Sequence, residues 1–184
     1  MLQRILVPLD GSELAEAVLP YVVEISQRCD PVKVILLQVI RPSSGHTAAT
    51  FVPVDADFPG ETMPASEADL DAARHPIYRD QELASQRASA EATLAPVAQV
   101  LEEKGIEARV DVAFGRPAQE IVRFAEKEGV DLIAMCTHGR SGISRWILGS
   151  VADKVLRGTH LPIMLVRPPS VTGIPWSEQA KTGP

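Results

Sequence analysis

The chain has 184 residues, 45% of them hydrophobic, and a formal net charge of −6. That length and apolar content suit one domain with a sizeable core, and scattered Lys and Arg on an acidic chain argue against a nucleic-acid footprint. Apolar runs stay well below the ~18 residues of a membrane span, and Met1-Leu2-Gln3-Arg4 leads straight into a strand without a signal-peptide pattern, so the expected compartment is the cytoplasm. Cys29 and Cys136 have no CxxC spacing and the four histidines no metal-ligand spacing, which predicts reduced thiols and no metal site.

In chain order, Ile5-Leu6-Val7 is an apolar run that predicts a strand buried on both faces and ending at Pro8. A helix over 13–28 follows, with Glu13 and Glu16 in its first turn and Leu14, Val18, Tyr21 or Val22, and Ile25 at helical spacing. Residues 34–40 predict the second strand. The stretch 41–77 is rich in Pro, Ser, Ala, Asp and Gly and has no sustained period, which reads as a long solvated insertion or, alternatively, a lid. Residues 78–104 predict a helix whose seam is Leu83, Ala90, Leu94, Val97 and Leu101, with Pro96 either kinking it or starting a second segment.

Gly105 ends that helix, and 108–114 predict the third strand. Gly115-Arg116-Pro117 opens a helix with the apolar stripe Ile121, Val122, Phe124 and Ala125, closed by Gly129. Leu132 to Met135 lacks polar alternation, as in the interior of a parallel sheet, and Cys136 ends that strand. Ser150-x-x-Asp153 predicts a capping box, Val151, Ala152, Val155 and Leu156 an apolar face, and Arg157-Gly158 the helix end. The last strand ends at Val166. Residues 169–184 read as a flexible tail with Trp176 a weak anchor, leaving 1–168 as a single domain.

Alternation of strand and helix implies an α/β fold with an open, five-stranded parallel sheet and right-handed crossovers. The loop between Cys136 and Ser150 is longer than the roughly 2–6 residues a βα connection needs. Gly139 and Gly149 within it permit close approach, so backbone N–H groups and the following helix N-terminus can hold a phosphate. Each feature also serves a loop that binds nothing, since turns need glycine and helices need caps. Asp10, at the carboxyl end of the first strand, can accept hydrogen bonds from ribose hydroxyls or form an Asx turn at the helix entry.

These segments resemble the universal stress protein family, whose nucleotide-binding members carry Gly-x-x-Gly, nine residues, then Gly-Ser or Gly-Thr. The corresponding residues are Cys136-Thr137-His138-Gly139, Arg140 to Leu148, and Gly149-Ser150, so cysteine stands in place of the first motif glycine, which in the family lies beneath ribose and phosphates. The opening Gln3-Arg4-Ile5-Leu6-Val7-Pro8-Leu9-Asp10-Gly11-Ser12 resembles the family's first strand and its terminal Asp. The resemblance implies an adenine nucleotide alpha hydrolase-like fold with strand order 3-2-1-4-5 and helices on both faces. It also implies a site for ATP, or AMP or ADP, with magnesium left open, formed by Pro8, Leu9, Asp10, Val39, Cys136, His138, Gly139, Arg140, Gly149, Ser150 and Val151. Val39 matches the position whose backbone meets the adenine edge. Trp146 reads as a packing residue, because family adenine pockets lie at the other end of the crevice.

The expected role is an ATP-binding stress-response or signalling module with a protein partner the sequence does not name. A nucleotide-free dimeric scaffold of the same fold is the alternative. A dedicated ATP-using transferase or ligase ranks last, because the chain has no GxxxxGK[ST], no SGGxDS-like loop and no base and nucleophile pair. No catalytic residue is assigned, and slow ATP hydrolysis is left open. Leu161-Pro162-Ile163-Met164-Leu165-Val166 is an apolar strand at the sheet edge in the family's order, which predicts a homodimer through it.

Overall fold

A computed structural model describes residues 2–29, 31–41, 76–137, 149–167 and 176–178. Five strands, β1 (Arg4–Pro8), β2 (Lys33–Ile40), β3 (Glu107–Phe114), β4 (Leu132–Cys136) and β5 (Ile163–Val166), form one sheet in the order 3-2-1-4-5. Every pairing is parallel, with Leu6 opposite both Ile35 and Ile133, Leu36 opposite Val110, and Ala134 opposite Met164. The strands end at the five residues expected. Both faces are covered, which is why the apolar runs of β1, β2 and β4 show no polar alternation.

Two core clusters divide the side chains by strand parity. Ile5, Val7, Val34, Leu36, Ala134 and Cys136 pack with Leu19, Val22, Leu94 and Leu101 on one face. Leu6, Ile35, Leu37, Ile133 and Met135 pack with Ile121, Ala125, Ala152 and Val155 on the other. The helices of the first face are α1 (Glu13–Glu16), α2 (Leu19–Arg28) and α3 (Pro76–Glu103); those of the second are α4 (Pro117–Glu128) and α5 (Ser150–Gly158). At the amino end of β1 the Asp131 carboxylate accepts from the backbone N–H groups of Gln3 (2.8 Å) and Arg4 (2.9 Å), and these bonds hold it below the usual carboxylate range.

Several local expectations need correction. The single helix over 13–28 is two helices, because Pro20, at the second position of α2, has no N–H to continue the ladder from α1. No second helix starts at Pro96: α3 runs through it, with Pro96 on the exposed side and Leu94, Val97 and Leu101 buried. Ser150 is the first residue of α5 rather than its cap. Gly149 is the N-cap, its carbonyl accepts the Asp153 N–H at 2.9 Å, and the Asp153 carboxylate pairs with Arg157 at 3.0 Å instead of reaching back. At the other end Gly158 is the last helical residue and Thr159 the C-cap, while Leu156 is 47% exposed instead of joining the apolar face.

Candidate functional site

A cleft of about 690 Å³ lies at the carboxyl ends of β1, β2 and β4, where α4 and α5 begin. In this strand order the chain passes from β1 to β2 on one side of the sheet's centre and from β4 to β5 on the other, so the cleft sits at the topological switch point, where open parallel sheets receive ligands. Pro8, Leu9, Asp10, Val39, Cys136, Gly149, Ser150 and Val151, eight of the residues singled out from the sequence, all line it. His138, Gly139 and Arg140, together with Trp146 and most of the 41–77 segment, lie outside the described residues.

Asp10 follows β1, whose ladder Leu9 extends by donating its N–H to the Leu37 carbonyl at 2.9 Å. One carboxylate oxygen of Asp10 accepts from the N–H (3.0 Å) and the hydroxyl (2.5 Å) of Ser12. Ser12 Oγ in turn accepts the Ala15 N–H at 3.3 Å and caps α1. The Asx turn is therefore formed, and the same carboxylate stands at the cleft. Gly11, at φ 77°, makes the turn with a backbone conformation that a side chain would strain.

Across the cleft, Gly149 N–H donates to the Thr137 carbonyl at 2.7 Å and Thr137 N–H to the Val166 carbonyl at 2.9 Å. These bonds set the start of α5 beside the end of β4. Gly149, the N-cap, has no side chain to accept from the first turn of α5, and among the described residues those N–H groups and the positive end of the dipole face the cleft as an anion site would require. Cys136 is only 7% exposed and shares the core cluster of Val18, Ala134 and Val166. Burial pushes its thiol up to about 12, reinforced by the Asp10 charge and offset in part by a backbone hydrogen bond from Val18, so it is a neutral packing group and not a nucleophile near pH 7.

The other wall is apolar. Leu37, Pro117, Ile121, Met135 and Ala152 line it, and Arg41 and Thr137 are also among the lining residues. Sequence reading missed these, although Leu37 lies two residues before Val39 on the same strand and so shares its face. Among the described residues no group of three or more His, Cys, Asp or Glu side chains is placed to hold a metal, and no helix is long and apolar enough to cross a membrane.

An all-parallel sheet in this order, with helices on both faces and a ligand-sized cleft at its switch point, defines a doubly wound α/β domain. The chain belongs to the universal stress protein family, whose model matches residues 1–167. It is 27% identical to universal stress protein YxiE of Bacillus subtilis over 91% of this chain and all of that one. It is 43% identical to universal stress protein MJ0531 of Methanocaldococcus jannaschii over 41% of this chain but only 45% of that one. The solved structure of MJ0577, from the same archaeon, superposes with a TM-score of 0.67 at 26% identity, covering 93% of this chain and 99% of the other. Universal stress proteins solved in complex with cAMP (TM-score 0.56) and, from Archaeoglobus fulgidus, with dAMP (0.52) share the fold at 18% identity, each over 91% of this chain and 98% of its own.

Proposed function

We propose that this protein binds adenine nucleotides, ATP foremost, in the switch-point cleft and acts as a stress-response or signalling module in the cytoplasm. The observation that carries the reading is the convergence of Asp10 and the Gly149–Ser150 helix start on one cleft with an apolar wall. The carboxylate suits ribose hydroxyls, the helix start suits phosphate, and Leu37, Val39 and Ile121 suit a base. Relatives of the same fold held cAMP and dAMP, which supports the same ligand class. His138, Gly139 and Arg140 complete the phosphate side in this reading, and any magnesium is carried by the phosphates. Protein purified without added ligand, then denatured and chromatographed, releases ATP, ADP or AMP at near-stoichiometric levels. No released nucleotide, and no calorimetric heat with any of the three, would leave a nucleotide-free scaffold.

The working form in this proposal is a homodimer through β5. Among the described residues that strand pairs only with β4 and lies at one edge of the sheet, where unpaired backbone groups favour a second copy. Light scattering gives a dimer mass, and Met164→Pro lowers it toward the monomer; a wild-type monomer at micromolar and higher concentrations removes the dimer.

A further inference from the structure

We propose that Arg41 is a base-stacking residue of this cleft, its guanidinium plane lying over a purine; the inference deepens the nucleotide reading and rests on it. Leu37 and Val39 both belong to the cluster on the α4 and α5 face. Alternation along β2 carries Arg41, one residue past the strand, to the same side. Arg41 is exposed and lines the cleft together with the apolar Leu37, Val39 and Ile121. It is the one cation among the described lining residues, and none of the ion pairs among the described residues includes it.

Position decides which part of a nucleotide it meets. The start of α5 is bonded to Thr137, just past β4, while Arg41 stands past β2, and β1 lies between them. Two strand spacings put the two points roughly 10 Å apart. A nucleotide whose phosphate occupies the helix start, and whose ribose lies at Asp10 beyond β1, reaches the end of β2 with its base. The base then has Leu37, Val39 and Ile121 at one side and needs cover on the other. Arginine supplies that cover twice over: its methylene stem shields apolar surface and its delocalised plane stacks on an aromatic face.

The test titrates the full-length wild-type chain, Arg41→Ala and Arg41→Lys with ATP and with adenosine by calorimetry. Stacking predicts that Arg41→Ala weakens both ligands by the same factor, about three- to fivefold. Arg41→Lys recovers only part, because it restores charge without the plane. Unchanged affinity of Arg41→Ala for both ligands overturns the proposal. A loss confined to ATP also overturns it and moves Arg41 to the phosphates. If the wild-type chain binds neither ligand, the nucleotide reading fails first and takes this inference with it.

Discussion

The Gly149 N–H donates to the carbonyl of Thr137 at 2.7 Å, so the backbone on either side of residues 138–148 leaves and returns at one point beside β4. The start of α5 is thereby placed by main-chain atoms, and a side chain at Gly149 is not needed to hold it. With φ at −56° and ψ at 144°, Gly149 adopts a conformation open to any residue. Gly149→Val should therefore cost less than about 1 kcal/mol of stability. By standing where a phosphate approaches, the valine should weaken ATP binding at least about tenfold. Thermal unfolding and calorimetry on the same preparation measure the two effects. A variant that binds as well as wild type would place the phosphates elsewhere.

Asp10 and Ser12 divide two jobs that share one hydrogen-bond network. Ser12→Ala removes the α1 cap and should cost about 1 kcal/mol of stability while leaving the Asp10 carboxylate in the cleft. Asp10→Ala removes the acceptor for both Ser12 groups and, in the proposed site, for ribose, and should weaken ATP by about 1–2 kcal/mol as well as loosen the turn. Equal loss of ATP affinity in both variants would mean that Asp10 acts only through the turn.

The two cysteines should react very differently. Cys29 is exposed at the end of α2, whereas Cys136 is buried in the core with its thiol pushed up to about 12. Iodoacetamide at neutral pH should label Cys29 in the folded protein and Cys136 only after denaturation. Cys136→Gly empties a site packed among Val18, Ala134 and Val166 and adds strand entropy, so it should cost about 1–3 kcal/mol while ATP affinity is preserved or improved. Mass spectrometry of tryptic peptides reads the labelling. Rapid labelling of Cys136 in native protein would show that the cleft opens to its sulfur.

How much of this was legible in the chain follows from which signals are local. β1, β2 and β4 declared themselves because strands covered on both faces need unbroken apolar runs, and their last residues lie where expected. The break between α1 and α2 was hidden because Val18, Val22 and Ile25 keep helical spacing across it; Pro20 was the only contrary mark. Ser-x-x-Asp fits Ser150 at the first helical position with Asp153 in the first turn as well as it fits a capping box, so pattern alone could not choose the register of the cap. Asp10, Gly149 and Ser150 were readable from motif spacing. Arg41, Pro117 and Ile121 were not, since they come from three points of the chain that only the sheet order brings to one cleft.

The expected tail touches the body of the protein at Glu16. Its carboxylate accepts the Ser177 N–H at 3.3 Å, Ser177 is 7% exposed, and Trp176 packs against the core cluster of the α1 face. Burial raises the Glu16 carboxyl above its ordinary range, with the Glu13 charge adding to it, while backbone bonds from Ser177 and Trp176 and the Ser177 hydroxyl pull the other way. A raised carboxyl means that the folded chain holds this proton more tightly than the unfolded chain. Its contribution to stability is therefore complete below the unfolded value and declines as pH rises through the folded one. Glu16→Gln keeps an oxygen to accept the Ser177 N–H but cannot ionise. Its melting temperature should match wild type at about pH 4 and rise above it progressively toward about pH 7. Melting curves followed by tryptophan fluorescence across that range give the comparison. A difference that does not change with pH, or a variant less stable than wild type at pH 7, would mean that the hydrogen bonds to the charged carboxylate outweigh its burial.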